Sequence, residues 1–264
     1  MLHGELHQER LHSQRVELAK GRDVRSEDDV VTVSTFSPDR AMSNLELDHL
    51  LVFVDANPPQ IGEPNSAGLR ETFRRRHLGQ GTANVCYCFD NAYLELIWET
   101  DRAETSAAPA VRLRLAERAA WPRTDACPFG IAVRKHGTES QLPFDIWEYV
   151  PPYRPAGTII PVAVASDDPR QPLLFCSPGG LRPDSWTDGQ AGERQRAAGL
   201  TEIKGVRISF PMGIRPDAAL TSLAECGLIS LRTSDEDRSS MVLTIARMDG
   251  GPPRRLSLPK LVWL

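Results

Sequence analysis

The first strong hydrophobic pattern in the chain covers residues 45–54, which read Leu-Glu-Leu-Asp-His-Leu-Leu-Val-Phe-Val. A short, largely apolar run of this kind predicts a buried strand. The residues Asn57-Pro58-Pro59 favour a turn after it. Strict alternation along the strand would place His49 on the same face as Leu47 and Leu51.

A helix is predicted next, between residues 64 and 79. Pro64-Asn65-Ser66 supplies capping residues, and Leu69 and Phe73 have the i, i+4 spacing of one helical face. Arg74-Arg75-Arg76 would occupy the last turn, where cations oppose the helix macrodipole, and Gly79 would end the helix. An anion site is the alternative for the arginine run, but we favour a solvated helix end.

Residues 83–89 and 92–98 are predicted to form a hairpin, because Asp90-Asn91 can make a two-residue turn. The predicted register pairs Cys88 with Tyr93 and Cys86 with Glu95. Period-2 alternation then gives one wholly apolar face, apart from one phenol, and one mixed face. The mixed face, which we expect to line a cavity, contains Asn84, Cys86, Cys88, Tyr93, Glu95 and Ile97.

The C-terminal part of the chain repeats this order of elements, with a strand at 203–210, a helix at 216–226 and three later strands at 228–231, 241–246 and 256–263. Units of this size bury too little alone, so two of them are expected to share one sheet or barrel.

The predicted fold class is therefore α+β, with paired βαβββ modules forming a cupped mixed sheet around a cleft. The predicted division is a disordered N-terminal tail (1–41), a first module (42–100), a middle insert (101–200) and a second module (201–264). In the insert we expect a helix at 109–120, strands at 129–133, 144–149, 159–164 and 173–175, and a Gly/Pro-rich connector from residue 177 to residue 199.

Composition narrows the classes of function. With 264 residues, 41% of them hydrophobic, and a formal net charge of −4, the chain resembles an ordinary folded protein with no pull towards nucleic acid. Its apolar runs are too short for a membrane span. The five cysteines include no C-x-x-C pair, and the chain opens with charged residues, which favours a reducing, cytoplasmic location.

Two side chains carry the candidate chemistry. His49 is predicted to share a strand face with Leu47, Leu51 and Phe53. Glu95 is flanked by Leu94, Leu96 and Ile97, where a carboxylate needs a cation, a metal or several donors. A His and a Glu on neighbouring strands are half of a mixed N/O divalent-metal site. A buried His–Glu hydrogen bond, or an arginine paired with Glu95, is the alternative.

Three segments in order resemble the glyoxalase-like domain of the vicinal oxygen chelate superfamily: Leu-Asp-His-Leu at 47–50, residues 77–84, and Asn-Ala-Tyr-Leu-Glu-Leu-Ile-Trp at 91–98. Residues 142–147 are similar to a later segment of the same branch. The resemblance implies paired modules around a cleft, with His49 as the ligand from the first strand and Glu95 as the ligand from the last.

The resemblance leaves the ligand set incomplete, because the matching positions of the C-terminal repeat hold Gly205 or Arg207 and Lys260 or Leu261. His77 is the best third ligand; the other candidates are Asn84, Gln80, His136, Asp145 and Glu148.

Two functions stay open, besides a purely structural role. One is a metal-dependent lyase, isomerase or dioxygenase with Glu95 as catalytic residue and His49, Glu95 and His77 as ligands of a divalent metal. The other is a metal-free protein that sequesters a small molecule. In either case Asn84, Tyr93, Gln80 and Trp147 are the predicted substrate-binding residues. The expected partner is a small molecule, with no nucleic acid or membrane, and a homodimer is left open.

Overall fold

A computed structural model describes residues 45–54, 67–136 and 141–264. The predicted tail at 1–41 and the predicted capping residues 64–66 lie outside the described residues. None of the helices in the described part of the chain has the length and apolar character needed to cross a bilayer.

Eight strands form one mixed sheet, in the spatial order β2-β3-β4-β1-β5-β8-β7-β6. They are β1 (Leu45–Phe53), β2 (Phe73–His77), β3 (Thr82–Cys88), β4 (Tyr93–Glu99), β5 (Phe129–Lys135), β6 (Ile146–Tyr149), β7 (Ile160–Ala163) and β8 (Leu173–Cys176). The predicted insert strands correspond to β5, β6, β7 and β8.

This sheet consists of two halves with the same strand order. In the first half, β1 pairs in parallel with β4, and β3 lies between β4 and β2. In the second half, β5 pairs in parallel with β8, and β7 lies between β8 and β6. The halves meet where β1 and β5 run antiparallel. The predicted hairpin register is confirmed, because Cys88 faces Tyr93 and Cys86 faces Glu95.

The predicted helix at 64–79 is wrong over its described part, since β2 is an extended edge strand paired with β3. Arg74 and Arg76 are exposed, whereas Arg75 is half-buried and His77 is buried. This alternation is that of a strand, and charged side chains suit a sheet edge, which they protect from pairing with other chains. The Leu69–Phe73 spacing and the arginine run therefore did not distinguish a helix from an edge strand.

The connection between β4 and β5 contains the helices α1 (Arg102–Thr105) and α2 (Leu115–Ala119) and 3₁₀ turns at Ala110–Leu113 and Trp121–Arg123. The predicted helix at 109–120 is interrupted at Arg114, which has a φ of 57°.

Arg118 of α2 is fully buried and fixes this connection. Its guanidinium donates hydrogen bonds to backbone carbonyls of Leu113, Ser166, Pro169 and Gln171. The 113–118 segment is thereby held against the loop between β7 and β8.

The C-terminal residues form a separate five-stranded sheet with the order β10-β9-β11-β12-β13. Its elements are β9 (Leu200–Pro211), α3 (Ala218–Glu225), β10 (Ser230–Ser234), β11 (Ser240–Arg247), β12 (Arg254–Leu258) and β13 (Val262–Trp263). The predicted order of strand, helix and further strands is present. Its pairing differs from that of β1–β4, because β9 lies between β10 and β11. The expectation that this segment would share a sheet with the first module is therefore not met.

The two sheets pack face to face over one apolar core, which includes Leu50 and Val52 from β1 and Ile208 and Phe210 from β9. The C-terminal sheet thus covers one face of the eight-stranded sheet. The opposite face, which carries His49 and Leu51, is free to border a cavity. These mixed sheets with few helices confirm the α+β class.

Candidate functional site

A cavity of about 80 Å³ lies on the face of the eight-stranded sheet that carries His49 and is lined by residues from both halves. It contains His49, His77, Gln80, Asn84, Tyr93 and Glu95, which are six of the seven predicted site residues. A larger groove of about 510 Å³ beside Asp168 and Arg215 is open to solvent and contains none of them.

His49 is oriented by the residue that precedes it. A β-bulge separates the pairs Leu47–Val133 and His49–Ala132, so Asp48 is an extra residue in β1. Asp48 and His49 can therefore interact although they are adjacent, and His49 Nδ1 lies 2.5 Å from Asp48 Oδ1. A carboxylate only accepts hydrogen bonds, so we assign the ring proton to Nδ1 and leave Nε2 facing the cavity.

The bulge also corrects the predicted face of β1. Leu45 and Leu47 pack on the same core as Leu50 and Val52, so Leu47 does not share a face with His49. Asp48, which is only 4% exposed, is the residue that the sequence reasoning missed. Alternation could not reveal it, because every residue from 50 to 54 is apolar and the sequence gives no change of parity at residue 48.

Asp48 has a cationic neighbour in the second half of the sheet. Arg134 on β5 is buried, and its Nη1 lies 3.5 Å from Asp48 Oδ2. The same guanidinium donates to Glu46 Oε2 and to the carbonyl of Asn91. These contacts hold the Asp48 carboxylate in position behind His49.

Glu95 is 5% exposed and lies beside His49, because β1 and β4 are adjacent parallel strands. Glu95 Oε2 is 3.5 Å from His49 Nε2. The other carboxylate oxygen, Oε1, accepts a hydrogen bond from Asn84 Nδ2 at 2.8 Å. Within the described part of the chain, His49 is the only side chain in ion-pair contact with Glu95, so the arginine alternative for Glu95 has no support there.

His77 lies on the far side of Asn84 from Glu95. Its Nε2 is 3.5 Å from Asn84 Nδ2, and its ring packs on Tyr153 with centroids 4.4 Å apart. Burial lowers the pKa of His77 below the usual 6.5, although the nearby negative charge of Glu95 opposes this shift. The lowered pKa favours a neutral imidazole at neutral pH.

A chain of polar groups continues from His77 away from Glu95. Gln80 lies between two glycines with positive φ and donates through Nε2 to Thr82 Oγ1 at 2.8 Å. Its Oε1 accepts a hydrogen bond from the Tyr149 hydroxyl at 2.8 Å. Thr82 Oγ1 is 2.9 Å from His77 Nδ1 and can accept a hydrogen bond from it. Because Nε2 faces the donor Asn84 Nδ2 at 3.5 Å, we assign the His77 proton to Nδ1.

Comparison with protein families gives one match, to the family described as glyoxalase-like domain, over residues 47–149. Residues 47–149 match a glyoxalase-like domain. This family is part of the vicinal oxygen chelate superfamily that the sequence resembles. No curated protein matches the chain significantly.

The matched glyoxalase-like domain ends at β6, whereas β7 and β8 complete the second half of the sheet. Members of this superfamily bind small molecules or use divalent metals. The cavity contains His49 and Glu95 from the matched residues, and part of its wall comes from strands outside them.

The His49–Glu95 pair has a separation that fits two ligands of one metal ion. Bonds of about 2.0–2.2 Å from Nε2 and from a carboxylate oxygen, meeting at roughly 110°, place the ligand atoms about 3.5 Å apart. The hydrogen bond from Nδ1 to Asp48 is the usual support for a metal-binding histidine. In the described residues, however, no group of three or more His, Cys, Asp or Glu side chains could hold a metal.

The other predicted metal ligands lie away from Glu95, and the predicted aromatic contacts differ in whether they line the cavity. His77 is separated from Glu95 by Asn84, and His136 is exposed near Glu46. Trp147 does not line the cavity; its ring packs beneath Arg112 and against Tyr149. Tyr93 does line it and stacks on His49, with centroids 4.3 Å apart and planes 12° apart.

Much of the remaining lining of the cavity is hydrocarbon. We call this the apolar wall, and its members are Leu51, Ile97, Leu113, Leu115, Ile160, Val162, Leu173 and Phe175. Most of these residues come from the connection after β4 and from β7 and β8. The cavity thus joins a polar, ligand-bearing side to an apolar side.

Proposed function

We propose that the cavity binds a small organic molecule and that His49 and Glu95 hold a divalent metal there, for chemistry of the lyase, isomerase or dioxygenase type. The observation that carries the proposal is the 3.5 Å separation of His49 Nε2 and Glu95 Oε2, with His49 oriented by Asp48. The glyoxalase-like family supports the general class. In this proposal water or substrate completes the coordination, because two side chains cannot fill it.

Each polar residue then has a defined task. A metal at this position would act as a Lewis acid on substrate oxygen atoms. Asn84 fixes the Glu95 carboxylate, which would be a metal ligand, or a base once substrate displaces it. His77 is neutral, and its Nε2 lies beside the Asn84 amide, which separates it from Glu95, so we do not assign it as a third ligand. Gln80 and Tyr93 border the bound molecule.

A second function is favoured by the shortage of ligands. Because the described residues supply only His49 and Glu95 to a metal, the cavity could instead sequester its molecule without one. Its apolar wall and small volume suit such a binder.

Three other expectations stay predictions: a cytoplasmic location, a homodimer, and the division of the chain at residues 41, 100 and 200. The strand order leads us to propose that residues 129–176 form the second half of the cup.

Metal titration separates the two functions. Chelator-treated protein is titrated calorimetrically with Mn²⁺, Co²⁺ and Zn²⁺, and the same titration is made with Glu95→Gln and with Glu99→Gln. Glu99 lies on the same strand but outside the cavity lining, so it is the matched control. We expect one ion bound per chain in the wild type and in the control, and a loss of at least about 100-fold in affinity in Glu95→Gln. Equal affinity in all three proteins, or no binding by the wild type, would refute the metal site and leave the binder.

A further inference from the structure

The arginine run of β2 presents one cation to the cavity. Strand alternation turns Arg75 inward, where it lines the cavity, whereas Arg74 and Arg76 on the same strand are exposed. Arg75 Nη2 donates to Gln190 Oε1 at 2.7 Å, and its guanidinium lies 4.8 Å from the centre of the Phe73 ring. Both partners are neutral. Among the described residues Arg75 forms no ion pair with a carboxylate, so its charge is available to a ligand.

A second cation borders the same cavity from the other half of the sheet. Arg154 lies in the connection between β6 and β7 and is exposed, and its side chain lines the cavity. It too forms no ion pair among the described residues. Both arginines are close enough to His77 to lower its pKa by their charge, which agrees with their facing one space.

The same space is bordered by the apolar wall, which contains no cation or anion. Two unneutralised guanidinium groups favour an anion, and arginine matches the planar, two-oxygen geometry of a carboxylate. The hydrocarbon side favours an apolar tail. The volume of about 80 Å³ is well below the roughly 300–1,000 Å³ of sites for drug-sized molecules, so the tail must be short.

We propose that the cavity takes a small monocarboxylate with a short apolar tail, held at its carboxylate by Arg75 and Arg154 and at its tail by the apolar wall. This substrate class rests on the proposed function only in sharing its cavity, because it requires neither a metal nor a reaction. The carboxylate binds at the arginines and away from Glu95, since like charges repel.

Three probes test this proposal on chelator-treated, full-length protein. The probes are 3-methylbutanoate, its neutral isostere 3-methylbutanamide, and acetate, which lacks the tail. Binding is followed by ligand-observed NMR and calorimetry. We expect 3-methylbutanoate to bind at least about tenfold more tightly than either of the others, because each lacks one of the two interactions. If the amide binds as tightly as the acid, the arginines do not select an anion and the proposal fails.

Variants locate the binding. Arg75→Gln and Arg154→Gln are each expected to weaken 3-methylbutanoate binding by about tenfold and to leave amide binding unchanged. Arg76→Gln, from the exposed face of the same strand, is the matched control and should bind like the wild type. Arg75→Lys keeps the charge and should recover part of the affinity. Unchanged acid binding in both glutamine variants would overturn the proposal. Metal titration of the same variants reports separately on His49 and Glu95, so either proposal can fail alone.

Discussion

The two halves of the eight-stranded sheet have the same strand order but opposite chemistry. In the first half, the adjacent strands β1 and β4 direct His49 and Glu95 into the cavity. In the second half, the adjacent strands β5 and β8 pair Gly130 with Leu173 and Ala132 with Phe175. The two halves therefore repeat a strand order without repeating the candidate ligands.

Packing explains why the second half cannot simply copy the first. A Cβ atom added at Gly130 would lie 3.0 Å from Leu51 Cδ1 and 3.1 Å from the Leu173 carbonyl oxygen. Both distances are tighter than ordinary contacts, so a histidine at that position would displace its neighbours. Close packing around Gly130 therefore leaves no room on β5 for a ligand side chain like those of the first half.

The largest expected effect comes from the residue that holds part of the apolar wall. Arg118→Met removes four hydrogen bonds and leaves buried carbonyls near Leu113 and Gln171 without donors. Burial lowers the pKa of Arg118 to about 10, so its guanidinium is still charged at neutral pH. The substitution therefore removes a charged hydrogen-bond donor. We expect the free energy of unfolding to fall by about 3–5 kcal/mol in urea denaturation. Arg112→Met, at an exposed ion pair with Asp167, is the control and should unfold like the wild type.

Asp48→Asn tests whether Asp48 orients His49 in the first half of the sheet. The amide can no longer fix the Nδ1 proton of His49 as a carboxylate does, so the orientation and basicity of Nε2 should suffer. We expect divalent-metal affinity to fall by about 10–100-fold in calorimetric titration. Asp145→Asn, at an exposed position, serves as the control. An unaltered affinity in Asp48→Asn would show that the hydrogen bond has no positioning role.

Phe175→His would supply a metal ligand from β8, in the second half of the sheet. The Phe175 ring lies 5.4 Å from the His49 ring, close enough for a new imidazole to approach the same metal. We expect metal affinity to rise by about tenfold, since one further ligand would come from protein instead of water. Phe175→Leu separates this gain from the loss of the aromatic ring. If neither variant differs from the wild type in metal affinity, the two halves do not face one metal position.

The smallest effect concerns the pH dependence of stability. Because burial lowers the pKa of His77 in the folded state, the unfolded chain takes up a proton at this residue at a higher pH than the folded chain. The contribution of neutral His77 to the free energy of unfolding is therefore fully present above about pH 6.5 and is lost as the pH falls towards the lowered folded-state pKa. His77→Gln should flatten the decline in the free energy of unfolding between about pH 7 and about pH 5, measured by urea denaturation. A decline as steep as that of the wild type would contradict the assignment.

The sequence predicted the hairpin, because alternation and a two-residue turn fix which side chains share a face. The meeting of His49 with Glu95 was predicted from their chemistry and from the family resemblance, since alternation does not place β1 beside β4. The sequence did not predict β2, since a cap, an i, i+4 pair and a cationic run also suit an extended edge strand. The origin of the second half of the cup could not be predicted either. Strand order depends on long-range pairing, and the local pattern of residues 129–176 specifies strands without specifying their neighbours.

The extra residue in β1 has a consequence for insertions and deletions. Asp48 resets the in-and-out parity of the strand, which lets Leu45 and Leu47 reach the same interior as Leu50 and Val52. Deleting one residue here would move every side chain of β1 before His49 to the opposite face of the sheet. Leu45 and Leu47 would then face the side of the sheet that borders the cavity. A single-codon loss at this point would thus be more harmful than most substitutions nearby.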